Sequence, residues 1–358
     1  MSTTIAGRRI GLDQPTYFVA DIAASHDGEL DRALELIDLV AEAGADAAKF
    51  QNFTADEIVS DRGFRELGTK LGHQASWDKP VSEVYAEAAI PPEWTPVLKD
   101  ACDRAGVAYF SSAYDFAAVD MLEPYVPAYK IGSGDVDWLE MIDYTARKGK
   151  PVLLATGAAS LGDVVAAVQT VRVHTDELVL MQCNTNYTGS LENFEHINLN
   201  VISTYRQVFP DLVIGLSDHT PGHSATLGAI ALGARVIEKH FTDDVTRPGP
   251  DHSFSMDPRS WREMVERSRE LEQALGGPLK EVAPNEAETV IVQRRAVRAR
   301  TDLPIGHVLC REDLTVLRPA PKHGIGAAEL GNLIGRALTR PVGEGELFTW
   351  SDVAGLVG

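Results

Sequence analysis

One unit recurs along this chain: a short apolar run, a polar or glycine-bearing tip, then a segment of helical periodicity. The runs are Tyr17 to Ile22, Ala47 to Phe53, Val107 to Ser111, Ala128 to Ile131, Val152 to Ala155, Leu178 to Gln182, Val213 to Leu216 and Val236 to Phe241. Between them, stretches such as Asp31 to Ala43 and Pro92 to Ala105 are amphipathic, and Gly44 and Gly106 follow where helices commonly stop. Strands that alternate with helices pair in parallel. Eight such units in about 230 residues have the number and span of a (β/α)8 barrel, a TIM barrel of the α/β class. The pattern alone also admits a doubly wound open sheet.

What the runs end in favours the barrel. Catalytic groups of such barrels sit at the C-terminal ends of the strands, where the βα loops gather. Here those ends are DIAASHDG (21–28), KFQNF (49–53), SSAYD (111–115), KIGSGD (130–135), ATG (155–157), CNTNY (183–187), LSDHT (216–220) and EKHF (238–241). A core strand that closes on Glu238, Lys239 and His240 is expected to end in a shared polar pocket.

Composition bounds the partners. A formal charge of −19 argues against nucleic acid or an anionic membrane surface, and a bound phosphate would need a local lysine cluster to overcome that field. No apolar run is long enough to span a bilayer and the first residues lack a signal-like apolar core, so a cytoplasmic location is expected. Cys102, Cys183 and Cys310 are few and scattered, which suits reduced thiols used for packing.

Residues 1–275 are expected to form the barrel domain, closing with a helix over 258–275. The Gly, Pro, Glu and Asn content of 276–289 suggests a linker. Residues 290–358 are expected to form a small β-rich domain. Within it ARTDLPIGHVLCREDL (299–314) aligns without a gap on LTRPVGEGELFTWSDV (338–353), which implies internal pseudo-symmetry.

Two chemistries suggest themselves. His219 and His240 end neighbouring strands, and paired imidazoles suit a divalent metal that keeps positions open for water and substrate. Asp218 and Glu238 stand beside them; the alternative is a hydrogen-bonded structural role. Lys49, Lys130 and Lys239 end three strands, and Ser133 between Gly132 and Gly134 adds backbone donors, a combination suited to a phosphate or carboxylate. The alternative is lysines snorkelling at the barrel rim. Neither a Walker loop nor a GxGxxG turn is present.

ADIAASHDG, KFQ, KIGSGD, CNTNY, GLSDHT, EKHFT and GPDHSFS, in this order, resemble the sialic acid synthase (N-acetylneuraminate synthase, NeuB-like) family. RRAVRARTDLPIGHVL, LRPAPKHGI and IGRALTR resemble that family's C-terminal antifreeze-like (SAF) domain. The resemblance spans almost the whole chain. It implies a barrel that condenses phosphoenolpyruvate with an acylamino-aldose to give a sialic-acid-like 2-keto-3-deoxy sugar acid, aided by a divalent metal, typically Mn2+, with Mg2+ or Co2+ as alternatives. It also implies a homodimer in which the small domain of one chain caps the other's barrel. Position by position, it makes His219 and His240 the metal ligands. Lys49, Lys130, Ser133 and Ser217 become the phosphoenolpyruvate contacts, and Gln51, Tyr187 and Asp251 the sugar contacts. Arg318 becomes the arginine supplied by the partner, and Asp21 and Asp135 the catalytic carboxylates beside the lysines. Asp21 and Asp135 replace the family's usual Glu, Ala155 a common Ser and Thr188 a Pro; drift, a different acceptor or lost catalysis would each fit, and the two shortened carboxylates favour a different acceptor. A metal-dependent aldolase or lyase, or a sugar-acid binder without turnover, could use the same barrel.

Overall fold

The computed structural model describes residues 2–69 and 71–356. The chain divides into two units, residues 1–276 and 277–358.

The first unit opens with a hairpin, β1 (Ser2–Ile5) and β2 (Arg8–Gly11), that turns at Ala6 and Gly7, both of positive φ. Eight parallel strands then close into a barrel: β3 (Tyr17–Asp21), β4 (Ala47–Asn52), β5 (Ala108–Ala113), β6 (Tyr129–Ile131), β7 (Val152–Ala155), β8 (Leu178–Cys183), β9 (Val213–Asp218) and β10 (Val236–His240). β10 pairs back on β3, with Val236 opposite Tyr17 and His240 opposite Asp21. The expected barrel is present, and each strand lies within two residues of its expected bounds at both ends.

The two-residue period of a strand divides each one between two cores. Val19, Ala47, Phe110, Leu153, Val179, Met181, Val213 and Val236 point inward, joined by Ile5 and Ile10 of the hairpin, which is how that hairpin closes the N-terminal end of the barrel. Phe18, Ala20, Ala48, Leu154, Leu180, Leu216 and Ile237 point outward against the helices. The helix Leu30–Glu42 buries Leu36, Ile37 and Val40 on one face, and the helix Trp94–Ala105 stops at Gly106 in the left-handed conformation. The expected helix over 258–275 is present with those bounds, its N-terminus capped by Asp257.

Gly215 marks a close approach inside the barrel. A Cβ there would lie 2.7 Å from the Val236 carbonyl oxygen and 3.0 Å from Met181 Cγ. Gly215→Ala is therefore expected to destabilise the protein by about 1–3 kcal/mol, since the obstruction is backbone that cannot swing away. Denaturant unfolding measures it; an unchanged midpoint would mean that β9 and β10 can separate at no cost.

In the second unit, a 3-10 turn at Pro284–Glu286 and a helix over Ala287–Gln293 begin within the segment expected as a linker. Two hairpins follow, β11 (Ala296–Ala299) with β12 (Leu314–Leu317) and β13 (Arg336–Leu338) with β14 (Val353–Leu356). The sequence repeat is structural. Each hairpin's second strand is preceded by a 3-10 turn whose aspartate, Asp313 or Asp352, accepts from the backbone N–H of Cys310 or Thr349. Among the described residues no helix is long and apolar enough to cross a membrane.

Candidate active site

The inward positions at the C-terminal ends of the strands carry charge. Asp21 on β3 stands opposite Lys49 on β4, Glu238 on β10 opposite Ser217 on β9, and Lys130 on β6 opposite Ser112 on β5. Lys49 pairs with Asp21 and lies 3.8 Å from Glu238, and Lys130 lies 3.5 Å from Glu238. Gln51 Nε2 reaches Asp21 at 3.4 Å, and Ser217 Oγ donates to Glu238 Oε1 at 3.1 Å. Glu238 Oε2 is buried with no hydrogen-bond partner. The result is a buried quartet of two ammonium groups and two carboxylates at the C-terminal ends of the strands.

Burial pulls the Lys49 pKa down, but the Asp21 and Glu238 carboxylates outweigh it and hold the group above the ordinary lysine value. For Lys130 burial prevails, helped by the charge of Lys49, and its pKa falls despite Glu238. Lys130 Nζ also donates to the Ile131 carbonyl at 2.9 Å. An anion brought to Lys130 would therefore meet a cation that its surroundings compensate only in part.

Above the quartet stand the two imidazoles, with ring centroids 5.4 Å apart. His219 Nδ1 donates to the Asn184 carbonyl at 3.0 Å, which leaves Nε2 as its ligating nitrogen. His240 is kept uncharged, its pKa driven well below the ordinary value by burial and by the charges of His219 and Lys49. Its Nδ1 is buried without a hydrogen-bond partner. A buried imidazole nitrogen with nothing to bind, beside a second imidazole oriented by a carbonyl, fits a divalent cation. Among the described residues no group of three or more His, Cys, Asp or Glu is placed to hold a metal. The pair thus offers two protein ligands, and water or substrate oxygens would complete the shell.

The remaining expected residues line the same mouth. A cavity of about 500 Å3 is bounded by Gln51, Ser133, Asp135, Tyr187, His240 and Asp251, among others. Ser133 starts the 3-10 turn Ser133–Asp135 and accepts from Thr185 Oγ1 at 2.7 Å. Gly157 lets that loop pass, because a Cβ there would fall 1.9 Å from Thr185 Oγ1. Burial raises the Asp135 carboxyl to about 6, against the lowering effect of Lys130. Burial also raises Asp251 to about 6. Asp251 accepts from the Ala24 N–H at 2.9 Å, and the next residue, His252, is held by Thr242 at 2.7 Å and Asp27 at 2.9 Å.

One expectation needs correction. Lys239 does not join the anion cradle: it pairs with Asp218 and donates to the Thr220 carbonyl, both on the helix-facing side of the sheet. That engages Asp218 too, away from the histidines. Cys183 is buried, as expected of a packing thiol, with its Sγ 4.0 Å from Thr185 Oγ1. Arg318 belongs to the second unit, where it is exposed and its Nε donates to the Gln293 carbonyl at 2.6 Å.

Two features go beyond the sequence reading. Glu238, expected beside the histidines, is the carboxylate within salt-bridge distance of both Lys49 and Lys130. The excursion between β4 and the helix Trp94–Ala105 supplies Ile58, Leu71, His73, Trp77, Val84 and Tyr85 to the cavity wall. Its signal was the gap from Phe53 to Val107, the longest between successive apolar runs.

With this geometry in view, the chain can be set beside known proteins. Residues 36–280 match the NeuB family and residues 294–354 the SAF domain. The chain is 33% identical over 339 residues to the N-acetylneuraminate-9-phosphate synthase of Homo sapiens, covering 94% of this chain and 92% of that one. It is 32% identical over 349 residues to the N,N'-diacetyllegionaminic acid synthase of Legionella pneumophila, covering 96% of each. Among solved structures, the N-acetylneuraminic acid synthetase of Leptospira borgpetersenii in complex with citrate superposes with a TM-score of 0.71 at 26% identity, over 81% of this chain and 95% of that one. The chain belongs to the NeuB family, its barrel followed by a SAF domain.

Proposed function

We propose that this protein condenses phosphoenolpyruvate with an open-chain acylamino-aldose, giving a sialic-acid-like 2-keto-3-deoxy sugar acid and inorganic phosphate. The observation that carries this reading is the pair of buried lysines, Lys49 and Lys130, beneath two imidazoles in the mouth of a NeuB-family barrel. Lys49 and Lys130 hold the phosphate and carboxylate of phosphoenolpyruvate, with hydrogen bonds from Ser133 and Ser217. Gln51, Tyr187 and Asp251 position the aldose with its carbonyl toward His219 and His240. A divalent cation on those two histidines, Mn2+ in this reading with Mg2+ or Co2+ as alternatives, would supply Lewis-acid polarisation of the aldehyde oxygen. C3 of phosphoenolpyruvate bonds to the aldehyde carbon, and that oxygen takes a proton. Water then adds to the cationic C2 and yields its proton to a carboxylate, and phosphate leaves with cleavage of the C2–O bond. Asp135 suits the water-positioning role and Asp21 fixes Lys49. Following the family resemblance, the active form is a cytoplasmic homodimer in which Arg318 of one chain serves the barrel of the other.

Phosphate release and product mass, measured with phosphoenolpyruvate, Mn2+ and a panel of aldoses, test the reaction. An aldolase or lyase would cleave or join sugars without consuming phosphoenolpyruvate.

The raised Asp135 sets a pH dependence. Below about 6 the group is the neutral acid and cannot take a proton from water; above it the carboxylate is available. Turnover at saturating substrates is expected to rise through pH 6 and then level, and Asp135→Asn to remove that limb and cost about 100-fold in rate. If Asp135→Asn keeps the wild-type limb, the titrating group is Asp251 instead.

A further inference from the structure

Of the expected sugar contacts, Gln51 stands on β4 itself, whereas Asp251 lies at the far end of a loop that leaves β10 after His240. Residues 244–249 of that loop are all exposed, so no core of its own fixes Asp251 in place. A chain of polar groups does so instead. His252 is fully buried, with Nδ1 2.7 Å from Thr242 Oγ1 at the root of the loop and Nε2 donating to Asp27 Oδ1 at 2.9 Å. Asp27 Oδ2 accepts from Arg247 Nη2 at 2.7 Å and lies 3.1 Å from Arg32 Nε. Arg32, on the helix Leu30–Glu42, donates in turn to Asp243 at 2.9 Å. The start, middle and end of the loop are thus tied to residues 27–32. On the cavity side, Asp251 Oδ2 accepts from the Ala24 N–H at 2.9 Å. Gly249 makes room for the histidine, because a Cβ there would fall 2.6 Å from His252 Cδ2. Its neighbours Pro248 and Pro250 border an outer vestibule of about 680 Å3, which Thr188, His73 and Trp77 also line.

A threonine, a histidine and an aspartate in hydrogen-bonded order are also the makings of a nucleophilic triad. Thr242 is fully buried, so no substrate carbonyl reaches its hydroxyl, and the chain serves geometry instead. We propose that His252 is a positioning residue: held between Thr242 and Asp27, it fixes the backbone at residue 251 so that the Asp251 carboxylate stays on the Ala24 N–H and faces the acceptor. The proposal deepens the condensation reading above, on which it rests for the acceptor alone.

Two variants break this strut from opposite ends. His252→Asn keeps a polar group near Thr242 but is too short to reach Asp27, and Asp27→Gly removes the carboxylate while suiting the positive φ of that position. Kinetics use the full-length protein with phosphoenolpyruvate, Mn2+ and the aldose that the wild type turns over fastest. Each variant should raise the KM for the aldose at least ~10-fold and leave that for phosphoenolpyruvate within about threefold. In an Asp251→Ala background, either change should move the aldose KM by less than about threefold, because the group it positions is gone. Amide hydrogen exchange reads the strut without turnover. Exchange at Ala24 should quicken at least ~10-fold in both variants, while Phe241, whose N–H donates to the Asp21 carbonyl at 2.8 Å, keeps its wild-type rate. Unmoved exchange at Ala24, equal quickening at Phe241, an unmoved aldose KM, equal rises in both KM values, or full additivity with Asp251→Ala overturns the proposal. If the wild type consumes phosphoenolpyruvate with no aldose, the condensation reading fails by itself, and exchange at Ala24 still decides the strut. Should His252→Asn not fold, Asp27→Gly carries the same outcomes.

Discussion

With His240 replaced by alanine, bound divalent metal should fall to background and turnover should drop by about 10³-fold or more, while the barrel stays folded. The structure explains why the fold should survive. His240 Nδ1 is buried and makes no hydrogen bond, so removing the ring also removes an unsatisfied polar group and offsets part of the cavity cost. The gap in stability should widen when metal is added. A ligand at one hundred times its dissociation constant stabilises the native state by about 2.7 kcal/mol, a gain the wild type should show and His240→Ala should lack. His219→Ala is the weaker test, because it also breaks the tie to Asn184 that helps set the loop after β8. Metal content, rate and thermal midpoint measured together decide it. A variant that keeps its metal and its turnover would remove His240 from the reaction.

How far the sequence could anticipate this site depends on which physical signal each residue carries. The strands were legible because a buried parallel barrel needs continuous apolar runs, and their tips because ionisable groups end those runs for no packing reason. Lys239 shows what the motif alone missed. Alternation from Val236 puts Glu238 and His240 on the inner face and Lys239 with Ile237 on the outer one, so strand period, rather than proximity in sequence, decides which charges share the cavity. The N-terminal hairpin offered only Ile5 and Ile10 and a two-residue turn, too short a pattern to reveal that it closes the barrel floor. The vestibule wall was illegible for another reason. Residues 53–91 lack a strong period, and their value comes from where the flanking strands carry them.

The departures from the family pattern fall into place around the same cavity. Asp21, one methylene shorter than glutamate, contacts Lys49 directly. Thr188 occupies the vestibule rim and donates to Asn186 at 2.8 Å, a bond proline could not make. Ala155 is buried within the barrel, while its neighbour Thr156 turns to the Met181 carbonyl and Tyr205. Of the four changes, Asp135 and Thr188 border the space a sugar would occupy. This agrees with a changed acceptor, while Asp21 alters the carboxylate beside Lys49.

Lys130→Met should raise the KM for phosphoenolpyruvate by about 100-fold or more and leave that for the aldose within about threefold, because it deletes the charge that the proposed reaction directs at the phosphate and carboxylate. A structural explanation competes with this one. Lys130 is also a counter-ion of Glu238, and its loss would leave that buried carboxylate with Lys49 alone at 3.8 Å. A lower thermal midpoint in Lys130→Met would be consistent with either role, so stability does not discriminate. The double variant Lys130→Met with Glu238→Gln does, since it removes the stranded carboxylate together with the ammonium. If Lys130 binds substrate, the double variant should regain stability while its KM for phosphoenolpyruvate stays high. If Lys130 only neutralises Glu238, both should return toward the wild-type values, and the phosphate subsite would have to be rebuilt around Lys49 and Ser133.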